Sequence, residues 1–86
     1  MSDITHPDTA AVLRDIATER ERQVDKGWTR EHDDRHNTHT LVNLAKKRAH
    51  QQGRQSEPGY YDRVRLVEAA AMLVAAIEAM DRRDDD

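Results

Sequence analysis

The segment RVRLVEAAAMLVAAIEAMDRR near the C-terminus constrains the fold of this 86-residue chain more than any other. Helical spacing places a stripe of apolar residues on one side: Leu66, Ala70, Leu73, Ile77 and Met80. Further apolar residues nearly close the circle: Val67, Ala69, Ala71, Met72, Val74 and Ala76. A helix that is apolar on all sides requires neighbours on all sides. We therefore predict a long apolar helix from Tyr60 to Arg82, packed against other helices.

A first helix is predicted from Asp8 to Lys26, after a flexible tail over residues 1–6. Pro7, Asp8 and Thr9 are typical of a helix start, and Gly27 can adopt the left-handed conformation that ends a helix. The apolar residues of this helix fall at helical spacing: Val12, Leu13, Ile16, Ala17 and Val24.

Residues 29–40 show no apolar periodicity, and their Thr, Asn, Asp and His content favours a loop between helices. A second helix is predicted from Thr40 to Gln51, with Gly53 as its cap. Pro58 and Gly59 indicate a connector before the last helix. The predicted fold is all-α: a helical hairpin and a long C-terminal helix form one domain over residues 7–82, and residues 83–86 form an acidic, frayed tail.

A homodimer is the predicted assembly. Hydrophobic residues make up 36% of the chain and there is no Cys, so a single copy has a thin core and no disulfide. Two short amphipathic helices cannot surround the C-terminal helix. We expect a second copy to pack against its small Ala faces and to complete a helical bundle.

Charge and hydropathy exclude several classes of protein. The net charge is −3, with 14 basic and 17 acidic residues mixed along the chain, so we expect no basic face for nucleic acid. No apolar run reaches the roughly 18 residues of a membrane span. The N-terminal residues MSDITHPDT do not resemble a signal peptide, and we expect a cytosolic protein that uses no disulfides.

The segment between residues 19 and 39 holds most of the candidate site residues. His32, Asp33, Asp34, His36 and His39 carry nitrogen and oxygen ligands for divalent ions, and the histidines would share a face in a helix. The alternative is that Asp33 or Asp34 caps the second helix or turns the chain, and that the histidines are exposed or bond to nearby backbone carbonyls.

The acids of the first helix allow two interpretations. Glu21 and Asp25, with Glu19 nearby, are spaced to hold Mg²⁺ for a phosphate substrate. Interleaved with Arg20 and Arg22, however, such acids are more often part of a solvated, salt-bridged face.

Three further residues are candidates for binding a cofactor or nucleotide. Trp28 can stack on a base or anchor the core, and Lys46 and Lys47 can meet phosphate or simply face solvent. Glu68 interrupts the apolar C-terminal helix and must find a cation, for which Arg65 three residues earlier is the structural candidate.

The runs VLRDIATERERQVDKGWTREHDD and RVRLVEAAAMLVAAIEAMDRR resemble the first and last helices of short proteins encoded by phages of actinobacteria. Some proteins of this kind are MazG-like nucleotide pyrophosphohydrolases, which are all-α dimers that cleave nucleoside triphosphates with Mg²⁺. The resemblance implies Mg²⁺ as cofactor and Glu21, Asp34 and Glu68 as catalytic candidates. The chain departs from that pattern because it has no EExxE motif, and the ExxD position falls on Arg65 and Glu68.

Two functions follow from these features. The first is a non-catalytic phage accessory protein. It is a helical dimer in which the acidic, His-containing loop over residues 29–40 docks on a host protein. The alternative is a Mg²⁺-dependent nucleotide-binding or pyrophosphohydrolase protein with a reduced metal site, in which Glu21, Asp25, Asp33, Asp34 and Glu68 gather the metal. We expect the first, because the missing metal ligands are what a binding protein descended from an enzyme would show.

Overall fold

The computed structural model describes residues 6–35, 37–51 and 61–84, including their side chains except those of Arg30, Asp33, Asp34 and Asp84. Over these three ranges the backbone is helical except at the helix ends and in the short connections, and none of it forms a strand. The predicted all-α class is confirmed.

The described residues form four helices in chain order. They are α1 (Pro7–Asp25), α2 (Arg30–Arg35), α3 (Thr38–His50) and α4 (Arg63–Asp84). Helix α4 contacts all three of the others, most extensively α3. None of these helices is both long enough and apolar enough to cross a membrane.

Helix α1 begins one residue earlier than predicted, because its cap is His6 and not one of the short oxygens that follow. The Nδ1 atom of His6 accepts a hydrogen bond from the backbone N–H of Asp8 at 3.1 Å. Pro7 occupies the first helical position, where its missing N–H costs no hydrogen bond. His6 therefore belongs structurally to the helix start, although it was predicted as part of the tail.

Helix α1 ends at Asp25, one residue before the predicted end, and Gly27 stops it as predicted. Gly27 has a φ of +109°, which L-residues with a side chain rarely adopt. Its N–H donates to the carbonyl of Val24 at 3.0 Å, and the N–H of Trp28 donates to the carbonyl of Gln23 at 2.9 Å. These two bonds form a Schellman motif, which satisfies carbonyls that the helix end would leave free.

Helix α2 lies in the segment predicted to be a loop, so that prediction is wrong for residues 30–35. The hydroxyl oxygen of Thr29 accepts a hydrogen bond from the backbone N–H of His32 at 3.2 Å and so caps the first turn. A helix of six residues is too short to show an apolar period. The sequence pattern therefore could not reveal it.

Helix α3 starts at Thr38, two residues before the predicted start. Its cap is Asn37, whose Oδ1 accepts from the backbone N–H of Thr40 at 2.7 Å. The prediction that Asp33 or Asp34 caps this helix is wrong, because both belong to α2. At the other end the helix stops at His50, with Gln51 as its C-cap, and the predicted cap Gly53 lies outside the described residues.

Helix α4 runs from Arg63 to Asp84, displaced towards the C-terminus from the predicted range. The carbonyl of Asp62 accepts its first bond, from the N–H of Leu66 at 3.0 Å. Near the end, the guanidinium of Arg83 donates to the hydroxyl of Thr38 at 3.1 Å and ties α4 to α3. The helix thus continues into residues predicted to fray. The predicted start at Tyr60, with the connector Pro58 and Gly59, lies outside the described residues.

The core is built on the Ala face of α4. The buried apolar residues are Leu41, Ala45, Ala69, Ala71, Met72, Ala75, Ala76 and Ala79. Their small side chains let the chain's own helices approach α4 closely. The prediction that a second copy covers this Ala face is therefore wrong, because the same chain already covers it.

The apolar residues of α1 are not where the periodicity suggested. Val12, Leu13 and Val24 are exposed at 42%, 53% and 37%, whereas Arg20 and Gln23 are buried. Helix α1 packs on α4 through these polar residues because their hydrogen-bonding groups find partners there. Its apolar side faces outward.

Candidate functional site

Three arrangements of charged residues dominate the described molecule: a network around Glu68, a recess beside that network and an acidic cleft near α2. The first, which we call the Glu68 network, consists of Glu19, Arg22, Gln23, Arg48, Arg65 and Glu68. The Glu68 side chain is only 13% exposed and lies 2.8 Å from Arg65, 3.6 Å from Arg22 and 4.0 Å from Arg48. The predicted pairing with Arg65 is confirmed. Glu68 is thus held by cations from three helices.

Glu19 is the second carboxylate of the network. Arg22 donates to its two oxygens from Nε at 2.8 Å and from Nη2 at 2.7 Å, a bidentate pair. The hydrogen bond from Arg22 lowers the pKa of Glu19 below its ordinary value, and burial opposes this only in part. The amide of Gln23 donates to Glu19 at 3.2 Å and to the backbone carbonyl of Glu68 at 3.1 Å. Gln23 therefore joins α1 to α4 through the Glu68 carbonyl, while its bond to Glu19 stays within α1.

Arg20 is a structural residue that sequence reasoning assigned to a solvated face. Its side chain is 10% exposed, and its Nε donates to Glu78 at 3.2 Å. Its Nη1 donates to the backbone carbonyl of Trp28 at 3.0 Å, which fixes the turn after α1 to the end of α4. The only sequence signal is the three-residue spacing of Arg20 and Gln23, which places both on one face.

The second arrangement, which we call the basic recess, is a hollow of about 200 Å³ beside the Glu68 network. It lies between α1, α3 and α4. Its lining residues are Arg22, Gln23, Lys26, Trp28, Arg48, Glu68 and Met72. Three of these residues are cations and one, Glu68, is an anion, whereas Trp28 and Met72 supply apolar surface.

The third arrangement, which we call the acidic cleft, opens between α1, α2 and α4 with a volume of about 530 Å³. Its lining residues are Arg20, Glu21, Val24, Asp25, Thr29, Glu31 and Glu78. Glu21 and Asp25 share this cleft, as their four-residue spacing predicts. In the described part of the chain, however, no group of three or more His, Asp or Glu side chains could hold a metal ion.

The histidines predicted to share one face are separated. His32 lies on α2, half-buried, with its ring centroid 4.9 Å from that of Trp28. His39 is exposed on α3, and its Nε2 lies 3.1 Å from the side-chain amide of Asn43. His36 and the side chains of Asp33 and Asp34 lie outside the description, so a metal site involving them stays a prediction.

The remaining candidates behave as surface and core. Lys46 and Lys47 are exposed on α3 and do not line the basic recess. Trp28 packs against the buried cluster of Ala45, Ala69 and Met72, as expected of a core anchor. Trp28 also lines the basic recess.

Comparisons of the chain with protein-family models, with curated proteins and with solved structures found no match. The resemblance to phage proteins and to MazG-like enzymes therefore stays a prediction. Function has to be argued from the geometry of the Glu68 network, the basic recess, the acidic cleft and the exposed side of α4.

Proposed function

We propose that the protein is a non-catalytic phage accessory protein that acts by protein–protein interaction on a homodimeric helical scaffold. The observation that carries this proposal is the exposed side of α4. Leu66, Leu73, Ile77 and Met80 are 44%, 42%, 57% and 44% exposed, although all four are large apolar residues. Together with Ala70 they form a continuous seam, which we call the α4 stripe. An apolar seam of this kind is typical of a surface that another protein covers.

The α4 stripe fits a second copy of the same chain. Its residues alternate at steps of four and three, the spacing with which two helices interlock along a common seam. Beside it, Val12 and Ile16 of α1 line an apolar groove with Leu66 and Ala70. These exposed apolar side chains support the proposal of a two-fold interface between copies.

Charge favours an antiparallel pair of α4 helices. Arg63 near the start and Asp81 near the end are both exposed. They are five whole helical turns apart, so they flank the stripe on the same side. An antiparallel arrangement brings Arg63, which also pairs with Asp15 of its own chain at 2.8 Å, close to the partner's Asp81 and opposes the two helix dipoles.

A dimer seam can be tested by light scattering on matched variants. At roughly 10 µM, well above a dissociation constant of about 1 µM, we expect the protein to have twice the mass of one chain. Leu73→Glu should produce a monomer, because it places a charge in the seam. Val42→Glu on α3 is the control, since Val42 is 40% exposed but lies outside the stripe. A wild-type monomer would contradict the dimer.

The acidic cleft is the proposed contact surface for a host protein. Glu21, Asp25, Glu31 and Glu78 line it against a single cation, Arg20. The acidic cleft is concave and adjoins α2, the helix that carries His32. A partner that presents Lys or Arg side chains fits this surface by charge.

Binding of a Lys-rich probe peptide tests the cleft. We expect salt-sensitive binding that is weakened by the pair Glu21→Gln and Glu31→Gln, because these changes remove carboxylates from the cleft. Asp8→Asn removes an acid outside the cleft and should leave binding unchanged. Equal binding by the wild type, the double variant and Asp8→Asn would rule out the cleft as the contact surface.

The alternative function, Mg²⁺-dependent nucleotide cleavage, requires carboxylates that are available to a metal. Glu68, one of its catalytic candidates, is instead engaged by Arg65 and Arg22. Calorimetric titration of Mg²⁺, Mn²⁺ and Zn²⁺, with and without nucleoside triphosphates, separates the two functions. We expect no nucleotide-dependent metal binding and no pyrophosphate release. Metal binding that requires nucleotide and is lost in Asp34→Ala would favour the enzyme.

A further inference from the structure

We propose that the basic recess binds the phosphate group of a phosphorylated small molecule, without a metal ion. The basic recess and the Glu68 network together carry more positive than negative charge. The recess and the Glu68 network bring together four cations and two carboxylates: Arg22, Lys26, Arg48, Arg65, Glu19 and Glu68. The whole chain has a net charge of −3, yet this region carries a local excess of two positive charges. A phosphate monoester dianion supplies the charge that balances it.

Two cations of the basic recess are held in position by other residues of the chain. Arg22 is oriented by its bidentate contact with Glu19, and Arg48 is restrained by a hydrogen bond to the side-chain oxygen of Gln51 at 3.1 Å. Guanidinium groups held in this way bind phosphate oxygens with little loss of side-chain entropy. Lys26, exposed at the end of α1, adds an ammonium group at the rim.

The volume of the basic recess limits the size of its ligand. A hollow of about 200 Å³ is smaller than the sites that enclose whole drug-sized ligands, so it suits a compact anionic group. Trp28 and Met72 give it an apolar wall, against which the carbon atoms next to a phosphate can pack. The recess therefore fits the phosphorylated end of a small metabolite better than a large ligand.

Trp28 provides a direct readout, because it is the only Trp in the chain and lines the recess. The experiment titrates the full-length protein with inorganic phosphate and with ribose 5-phosphate, in EDTA and at constant ionic strength set with NaCl. We expect a saturable change in Trp fluorescence with a dissociation constant of about 1 mM or lower. A parallel rise in the melting temperature should accompany it, since a ligand that binds the folded state stabilises it.

Three variants locate the site. Lys26→Gln and Arg48→Gln should each weaken binding about tenfold, the loss expected for one charge-assisted contact. Lys46→Gln removes an exposed cation from α3 outside the recess and should bind like wild type. Circular dichroism confirms that each variant is folded before the titration is interpreted.

The outcomes distinguish between the two kinds of ligand and also test the proposal itself. Similar affinity for both probes indicates a phosphate site that makes no sugar contacts, and tighter ribose 5-phosphate binding indicates that the apolar wall contributes. The proposal is overturned if NaCl alone reproduces the fluorescence change or if neither probe saturates. It is also overturned if Lys26→Gln and Arg48→Gln bind as tightly as Lys46→Gln.

Discussion

At the scale of single residues, polar side chains take positions that an apolar core would normally fill. Arg20 and Gln23 are buried, and each bonds to groups on α4 or on the turn before α2. Buried polar groups are tolerated when their hydrogen bonds are made, and removing one partner leaves the other unsatisfied. Glu68 is the clearest case, because its carboxylate contacts cations on three helices.

Removing the Glu68 carboxylate should therefore destabilise the fold. We expect Glu68→Ala to lower the free energy of unfolding by about 1–3 kcal/mol, because Arg65, Arg22 and Arg48 lose their shared partner. Glu68→Gln keeps a hydrogen-bond acceptor and should cost less. Urea denaturation at one protein concentration measures both. Glu21→Ala, at an exposed position, is the control and should change stability by no more than about 0.5 kcal/mol.

Glu19 makes stability depend on acid pH. Its pKa in the folded protein is lowered below the ordinary 4.5 by the hydrogen bond from Arg22. The stabilisation is therefore fully present above the ordinary pKa and is lost as pH falls through the lower, folded-state value. We expect urea denaturation across this acid range to show a smaller loss of stability in Glu19→Gln than in wild type. Arg22→Gln should reduce the loss similarly, since it removes the cause of the shift. An unchanged pH dependence in both variants would contradict this assignment.

At the scale of elements, the ends of the helices are defined by local chemistry. His6 caps α1, Asn37 caps α3, and Gly27 closes the Schellman motif that precedes Trp28. The Gly27 motif matters most for the sites, because it places Trp28 next to both α2 and the buried cluster. Its hydrogen bonds also align Trp28 so that its carbonyl accepts from Arg20.

Replacing Gly27 tests this element directly. We expect Gly27→Ala to lower the free energy of unfolding by about 1–2 kcal/mol, because a side chain is strained at a φ of +109°. Nothing lies within 4 Å of the added Cβ, so the loss reports backbone conformation and not a clash. Gly27→Asn should lose less, since Asn tolerates positive φ better. Thermal melting compares the three proteins, and an Ala variant as stable as wild type would contradict the strain.

At the scale of the whole molecule, the arrangement is a small core with a large exposed apolar seam. The core is mostly Ala, which contributes little buried area per residue, whereas Leu66, Leu73, Ile77 and Met80 remain outside. Covering the seam would add more apolar burial per side chain than the Ala face provides. The stability of the fold should therefore depend on association.

The melting temperature of a dimer of this kind depends on concentration. We expect the wild-type melting temperature to fall as the protein is diluted about a hundredfold, because dissociation exposes the α4 stripe. The double variant Leu73→Glu and Ile77→Glu should melt lower than wild type and at a temperature independent of concentration. Differential scanning fluorimetry over a dilution series measures both. A wild-type melting temperature that does not change on dilution would exclude coupling between folding and association.

Local features could be predicted from the sequence because their partners are near in the chain. The stop at Gly27 follows from its freedom at positive φ, and the Arg65–Glu68 pair follows from their three-residue spacing on a helix. The final helix was predictable from the helical spacing of its apolar residues, but a long helix that is apolar on all sides is not found. Helix α2 was missed because six residues carry too little periodicity.

Which surfaces meet was decided only by the tertiary structure. The sequence determined that α4 carries apolar residues on several sides, but this pattern cannot say which side faces the same chain. The small Ala residues are the side that α3 approaches closely, and the larger side chains of the α4 stripe are left outside. Likewise Arg20 and Gln23 read as surface residues until Glu78 and the Glu68 carbonyl, distant in sequence, supply their hydrogen bonds. Burial of a polar side chain depends on partners that only the folded chain brings near.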